Sequence, residues 1–135
     1  MSQQKADYID DTEIDSALDE LPDDETIEET VSNLEDNGFE VVVVDSAEEA
    51  LETIQSHIPA GASVMNGHST TLEEIGFTEY LSEGDHGWES LPDEIWSIDD
   101  DEEREAARRD SQTADYFLGG INAIATTGEL VAADL

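Results

Sequence analysis

Apolar residues in this chain fall into short segments whose spacing alternates between that of a helix and that of a strand. From Ile27 to Leu34 they recur at helical intervals, and Asp24 or Thr26 can cap the helix that they predict. Asn37-Gly38 supplies the left-handed residue at which such a helix ends.

The next segment, Phe39–Val44, is a continuous run rich in β-branched residues, which predicts a strand buried on both faces. Ser46 and Glu49 have the spacing of a capping box, so a second helix is expected to start there. Its apolar face continues to Ile58, and Pro59 ends it. Helix, strand and helix in this order predict an α/β layer structure.

A short apolar strand is predicted at Ala62–Met65, and it leads directly into the polar loop Asn66–Thr71. A short helix, Leu72–Ile75, follows and is stopped by Gly76. Two capping boxes are open for this helix, Thr70 with Glu73 or Thr71 with Glu74.

The remaining segments have weaker patterns. We expect loops and short helical turns over residues 77–101 with Trp88 and Trp96 as anchors, a helix over Asp101–Thr113, and strands at Asp115–Gly120 and Glu129–Ala133. Residues 1–22 are dense in acids and predict a frayed helix or a mobile arm that precedes a domain starting at residue 23.

The charge of the chain adds a second constraint. Thirty-seven Asp and Glu face four Lys and Arg, which gives a net charge of −33 and a pI near 4.1. At an ionic strength of about 1 M the Debye length falls to about 3 Å, which screens the repulsion among so many carboxylates. Because the acids are spread along nearly the whole chain, the composition favours adaptation to concentrated salt. The alternative is a functional acidic surface that mimics nucleic acid or docks a basic partner.

The composition also argues against several functions. Phosphate contact requires basic side chains, so four Lys and Arg make nucleic-acid binding an unfavourable hypothesis. The sequence has no cysteine, which removes thiolate metal ligands, iron–sulfur ligation and a cysteine nucleophile. Its three histidines are dispersed, so we expect no metal site and no cofactor in this chain. Without a signal segment or a long apolar run, we expect a cytoplasmic protein that does not enter a membrane.

Two stretches, residues 53–72 and 116–128, contain no Asp or Glu, although carboxylates recur throughout the rest of the chain. Burial, tight turns or a ligand must therefore govern these two acid-free windows. We expect them to converge around a cleft that tolerates an anion.

The first window contains a strand, a glycine turn and a hydroxyl-rich helix start, an arrangement that favours anion binding by free backbone N–H groups. The predicted ligand-binding residues here are Asn66, Gly67, His68, Ser69, Thr70 and Thr71. The loop lacks the spacing and the lysine of a P-loop, and an ordinary helix cap explains the same residues. His68 is a candidate general base or ligand, with a structural hydrogen bond as the alternative. His57 and His86 are weaker candidates.

The second window ends in a small-residue turn that is expected to line the opposite wall of the cleft. Its predicted ligand-binding residues are Asn122, Thr126, Thr127 and Glu129. Glu129 is a candidate catalytic acid, together with His68 as the candidate base. The alternative for Glu129 is a solvent-facing residue at the start of a strand.

Arg104 and Arg108 lie one helical turn apart on the predicted helix. Their spacing favours ion pairs with nearby acids such as Asp101 or Glu105. The alternative is that one of the two arginines clamps a substrate carboxylate.

Residues 67–76 read GHSTTLEEIG, and residues 115–134 contain Asn122-Ala123-Ile124 followed by Thr127-Gly128-Glu129. The first block resembles the GxSxTLxEIG segment of the LUD-domain family of lactate utilisation proteins. The second is similar to the later strand–turn–strand block of that family. The order and separation of the blocks also match, and the likeness spans roughly residues 24–135.

The resemblance implies a Rossmann-like α/β fold related to the ribose-phosphate isomerase and CoA-transferase superfamily. It implies a part in oxidising L-lactate to pyruvate, as an enzyme or as a subunit of an L-lactate-oxidising system. It also implies partners that carry flavin or iron–sulfur centres. The LUD-like domain would cover residues 23–135.

The chain departs from the family pattern at two points. Thr126 stands where many relatives have a glutamate, which argues against acid–base chemistry at that position. The sequence ends at Leu135, where relatives continue through further strands. We therefore expect a fragment or a shortened member whose sheet is incomplete at its C-terminus.

The leading hypothesis is a protein that binds a small carboxylate or related anion between Asn66–Thr71 and Asn122–Glu129. The alternative is a non-catalytic acidic subunit that docks an electron-transfer partner, through its acidic surface or through an exposed last strand at Glu129–Ala133. A sugar-phosphate or CoA-ester enzyme follows only from superfamily analogy. A homo-oligomer is compatible with each hypothesis.

Overall fold

A computed structural model of the protein describes Ala17 and residues 20–133. The chain divides into two compact units. One is continuous and comprises residues 43–120, whereas the other combines residues up to 42 with residues from 121 onward. The predicted arm over residues 1–22 lies outside the described residues except at Ala17 and residues 20–22, so it stays a prediction.

Helices dominate the described chain, and the strands are short. The helices are α1 (Asp24–Asp36), α2 (Ala47–His57), α3 (Thr70–Glu74), α4 (Phe77–Glu83), α5 (Leu91–Trp96) and α6 (Asp101–Asp110), followed by a 3₁₀ turn at Ser111–Thr113. The strands are β1 (Ser63–Asn66), β2 (Glu89–Ser90), β3 (Tyr116–Leu118), β4 (Ala123–Ile124) and β5 (Leu130–Val131).

The continuous unit contains a parallel sheet with the strand order β2-β1-β3. Val64 of the central strand lies beside Ser90 on one side and Tyr116 on the other. Parallel neighbours require crossover connections, which the intervening helices supply. The α/β prediction is therefore confirmed as a mixture of helices and a small parallel sheet. The Rossmann-like superfamily relation stays a prediction.

The core of this unit forms around β1. Its buried cluster comprises Ile58, Ala62, Val64, Leu72, Phe77 and Leu81. Trp88 packs against the cluster, and its Nε1 donates a hydrogen bond to the carbonyl of Ile58 at 3.1 Å. The prediction of Trp88 as an anchor is confirmed. The same prediction was wrong for Trp96, because this side chain stands at the end of α5 with 70% of its surface exposed.

Helix α2 begins as its sequence predicts. The Ser46 hydroxyl accepts a hydrogen bond from the Glu49 N–H at 3.1 Å. The Glu49 carboxylate accepts one from the N–H of Asp45 at 2.9 Å, one residue before the position that a capping box would use.

Helix α1 belongs to the other unit, and its cap differs from the prediction. Asp23 caps the helix, since its carboxylate accepts a hydrogen bond from the Thr26 N–H at 2.8 Å. The prediction of Asp24 or Thr26 as the cap was wrong. The predicted stop is confirmed: Gly38 has a φ of 93°, and the Phe39 N–H donates to the Leu34 carbonyl at 3.1 Å.

The strand predicted at Phe39–Val44 does not form, and this prediction was wrong. The segment pairs with none of the described strands, and both neighbours of β1 are already in place. Val42 and Val43 are 54% and 58% exposed. A β-branched run favours an extended backbone, but a strand also requires a paired neighbour, and strand propensity depends on that context.

The end of the described chain forms a hairpin that belongs to the same unit as α1. Strands β4 and β5 are antiparallel, with Ala123 opposite Val131 and Ile124 opposite Leu130. The predicted final strand is confirmed over Leu130–Val131. Strand β4 was not predicted, because its two residues lie within what the sequence indicates to be a turn.

Candidate functional site

The predicted first site segment lies at a cavity in the continuous unit, which we call the sheet-edge cavity. It has a volume of about 420 Å³ and opens where strands β1 and β2 end. Asn66, Gly67, His68 and Ser69 line it on one side, and Trp96 and Arg108 on another. Cavities beyond the carboxyl ends of parallel strands are the usual ligand sites of open α/β sheets.

The loop at the cavity is held on both sides. The Gly67 N–H donates to the carbonyl of Leu118 in β3 at 2.9 Å. The Gly119-Gly120 turn lies against Ser69, so that a Cβ at Gly120 would stand 2.6 Å from the Ser69 hydroxyl oxygen. A side chain at position 120 would therefore force the Ser69 hydroxyl to shift from its place in the structure.

Ser69 caps helix α3, and its hydroxyl accepts a hydrogen bond from the Leu72 N–H at 3.3 Å. Both predicted capping boxes, from Thr70 and from Thr71, were therefore wrong. The helix starts earlier than its apolar residues indicate, so Thr70 and Thr71 fall in its first turn. They are exposed and do not line the sheet-edge cavity. Their predicted ligand role stays a prediction.

His68 stands at the cavity with its side chain 89% exposed. Its Nδ1 lies 3.7 Å from a carboxylate oxygen of Glu73, which also lines the cavity. At this distance the two side chains form a long ion pair when the imidazole is protonated, and not a hydrogen bond. The structure places Glu73 beside His68, and the role of His68 as a base stays a prediction.

Arg108 reaches the cavity from helix α6. Its guanidinium carbon lies 5.3 Å from the centre of the Trp96 ring. Arg104 pairs with Asp101 at 2.9 Å, which confirms the ion-pair prediction for that residue. The same prediction was wrong for Arg108, which forms an ion pair with none of the described carboxylates.

The cavity also has an acidic rim. The Asp93 carboxylate accepts hydrogen bonds from the hydroxyl of Ser90 at 2.7 Å and from that of Ser82 at 3.2 Å. Both hydroxyl groups and Asp93 line the cavity.

The residues predicted for the opposite wall lie in the hairpin of the other unit. The Asn122 side-chain oxygen accepts a hydrogen bond from the Ala133 N–H at 2.8 Å. The Thr127 hydroxyl is hydrogen bonded to the Glu129 carboxylate, and both residues are exposed, as is Thr126. Residues 121–128 and the first window belong to different units, so their convergence around one cleft stays a prediction.

The other histidines have structural contacts. His57 Nδ1 lies 2.8 Å from the Thr53 carbonyl oxygen. The His86 ring stacks on that of Trp88 with 4.8 Å between centroids. Across the described part of the chain, no group of three or more His, Asp or Glu residues is placed to hold a metal ion. None of the described helices combines the length and apolar character that crossing a membrane requires.

Sequence reasoning missed the aromatic half of the site. Trp96 has no distinguishing signal, since an isolated tryptophan after a proline-initiated turn is typical of a packing residue. Glu73 and Asp93 could not be singled out either, because the sequence contains thirty-seven Asp and Glu residues. Arg108 had a usable signal, since an arginine is rare in this chain, but its spacing favoured a local ion pair.

Comparison with known proteins gives one match. The LUD domain matches residues 27–134, a stretch that contains the whole sheet-edge cavity and the hairpin. No curated protein and no solved structure matches the chain.

Proposed function

The chain belongs to the LUD domain family, and from this premise we propose that it acts in lactate utilisation by binding a small carboxylate in the sheet-edge cavity. The observation that carries the proposal is Arg108. It is a cation at a cavity of a −33 protein, yet it forms no ion pair with a described carboxylate. A guanidinium without a carboxylate partner can bind the carboxylate of a ligand through two parallel hydrogen bonds.

The loop supports the same interpretation. Asn66, Gly67, His68 and Ser69 come from the first acid-free window, so they add no negative charge beside the ligand. The amide of Asn66 and the imidazole of His68 offer hydrogen bonds to a hydroxyl or oxo group next to the ligand carboxylate. His68, which lies beside Glu73, is our candidate base for the hydroxyl proton of a 2-hydroxy acid.

Oxidation of L-lactate to pyruvate gives the hydroxyl proton to a base and transfers the C2 hydrogen, with two electrons, to an acceptor such as a flavin. This sequence contains no cysteine to ligate an iron–sulfur cluster. We therefore assign electron transfer to a partner protein that carries flavin or iron–sulfur centres, in a cytoplasmic system. This chain contributes the carboxylate site.

The test uses two adjacent arginines. L-lactate, pyruvate and related 2-hydroxy and 2-oxo acids are expected to raise the melting temperature in concentrated KCl. The Arg108→Gln variant should lose this response. Arg109→Gln removes the same charge from the next residue, which donates to the Glu105 carbonyl and does not line the cavity, and it should keep the response. An absence of response in the unmodified protein would contradict the proposal.

A second candidate is the non-catalytic subunit that docks an electron-transfer partner. One observation favours it: β5 is an edge of a two-stranded sheet, and its Leu130 and Val131 are 40% and 49% exposed. Val131→Lys should then abolish co-purification of a flavin or iron–sulfur protein. Retention of that partner by the variant would argue against docking at this edge.

A further inference from the structure

The sheet-edge cavity is large for the ligand proposed above. Its volume of about 420 Å³ falls within the range of about 300–1,000 Å³ that is typical of sites for much larger organic ligands. A three-carbon acid held by Arg108 would leave most of this space filled with water. The rest of the cavity wall therefore indicates what else the ligand carries.

Part of that wall is apolar, beside the rim formed by Ser82, Ser90 and Asp93. Leu81 and Ile95 line the cavity and are 3% and 4% exposed, so their side chains are fixed in the core. Met65 and Pro92 extend the same wall. A polar extension of the ligand would lose hydrogen bonds to water against these side chains, whereas an apolar one would be stabilised by leaving water.

Trp96 gives this apolar wall an aromatic element. Trp96 is 70% exposed although it lines the cavity, so its ring is accessible to a ligand. Arg108 lies over the ring at 5.3 Å from its centre, so the cation and the aromatic surface are adjacent. A ligand with a carboxylate and a flat ring a few bonds away can use both groups at once.

We propose that the cavity selects 2-hydroxy and 2-oxo acids that carry an aryl substituent, of the phenyllactate and phenylpyruvate kind, over lactate and pyruvate. Arg108 binds the carboxylate, and the aryl ring lies against Trp96 and the wall formed by Leu81 and Ile95. This inference rests on the proposed function, since it places the same carboxylate on the same arginine.

The experiment is a calorimetric titration of the full chain in concentrated KCl with L-lactate, 3-phenyl-L-lactate and 3-cyclohexyl-L-lactate. We expect phenyllactate to bind at least about tenfold more tightly than lactate, because the ring adds both apolar burial and aromatic contact. The cyclohexyl compound has the volume without the aromatic face and should fall between the two.

Variants separate the two halves of the ligand. Trp96→Leu should remove about tenfold of the affinity for phenyllactate and leave lactate unchanged. Arg108→Gln should weaken both acids. Tyr116→Leu removes an exposed aromatic residue that does not line the cavity and should change neither.

The inference fails while the proposed function stands if lactate and phenyllactate bind equally, or if Trp96→Leu weakens both acids to the same extent. Phenyllactate binding that is indifferent to Arg108→Gln would also overturn it, since the ring would then bind without the carboxylate. If none of the acids binds, the proposed function itself fails.

Discussion

Asn37 donates a hydrogen bond from its side-chain amide to the carbonyl oxygen of Gly128 at 2.9 Å. Asn33, one helical turn earlier, donates in the same way to the carbonyl of Thr126 at 2.8 Å. Asn33 in α1 and Asn37 at the C-terminal cap of α1 thus hold the turn of the hairpin across more than ninety residues of sequence. These two hydrogen bonds hold the backbone of the turn close to α1. A substitution of Gly128 therefore tests how much this contact contributes to stability.

Gly128→Ala is expected to destabilise the protein strongly. Gly128 has a φ of 93°, and an added Cβ would stand 2.7 Å from the Asn37 amide nitrogen and 2.8 Å from the Asn33 backbone. The left-handed conformation alone costs an alanine about 1–2 kcal/mol, and the collision with the α1 backbone adds to it. Urea unfolding in concentrated KCl measures the loss.

Gly38→Ala is the matched control for this substitution. Gly38 has the same φ of 93°, but a Cβ there would meet no atom within 4 Å. Gly38→Ala should lower the free energy of unfolding only by the cost of the left-handed conformation, about 1–2 kcal/mol. Equal losses for the two variants would show that the contact between α1 and the turn contributes nothing.

Ser69→Ala is expected to lower the free energy of unfolding by about 1 kcal/mol, the usual effect of removing an N-cap side chain. Thr70→Ala, which the capping-box pattern would make equally costly, should be nearly neutral because Thr70 is exposed and does not cap the helix. If Thr70→Ala lowered the free energy of unfolding more than Ser69→Ala, the result would instead support the predicted capping box at Thr70. The same urea series provides the measurement.

How far the sequence predicts the fold depends on the range of each interaction. The capping of α2 by Ser46 and the stop at Gly38 are local, and both are confirmed. The parallel strands β1 and β3 also follow from apolar runs bounded by turns. The strand predicted at Phe39–Val44 was wrong, because strand pairing depends on which edges of the sheet are free, and no local pattern contains that information.

Substitutions at two valines test whether Phe39–Val44 is exposed, as the structure shows, or buried, as the sequence predicts. Val42→Asp should change the free energy of unfolding by no more than about 0.5 kcal/mol, since Val42 is 54% exposed and lies outside the described strands. Val64→Asp, in the fully buried centre of β1, should cost about 4 kcal/mol or more. Comparable losses would mean that Phe39–Val44 is buried after all, as its composition indicates.

The candidate site was predicted in part for the same reason. The loop Asn66–Ser69 is continuous in sequence, and its glycine and hydroxyl residues point to a turn before a helix. The Trp96–Arg108 contact joins two helices that are separated by a loop, and it becomes visible only when α5 and α6 are packed. Local spacing instead favoured an acid partner for Arg108, because Glu105 lies one helical turn before it in the sequence.

Salt dependence tests the interpretation of the charge. The described arginines form one ion pair with a carboxylate, Arg104 with Asp101, so salt has little attraction to weaken and much repulsion to screen. The melting temperature is expected to rise steeply from dilute buffer to concentrated KCl. Sucrose at matched osmolality should raise it much less. A flat response to KCl, or an equal response to sucrose, would contradict salt adaptation.

Asp23 makes the stability of the protein depend on pH, and the direction of its pKa shift fixes the sign of this dependence. Hydrogen bonds from the Thr26 side chain and from its backbone N–H hold the pKa of the Asp23 carboxyl below its ordinary value of 3.8. The ionised form is thus favoured in the folded protein, and its contribution is present above the unfolded pKa. It is lost as the pH falls through the lower folded pKa, where protonation removes the charge that caps α1.

The chain carries thirty-seven Asp and Glu, so the test compares variants rather than one curve. Asp23→Asn keeps a capping oxygen but cannot titrate, and its stability should fall less steeply with acid than that of the unmodified protein. Asp24→Asn removes one acid from the first turn of α1 without removing its cap, so it is the comparison for the loss of a single acid. Urea unfolding across this acidic range measures all three. Identical slopes for Asp23→Asn and the unmodified protein would show that the cap on α1 does not depend on the charge of Asp23.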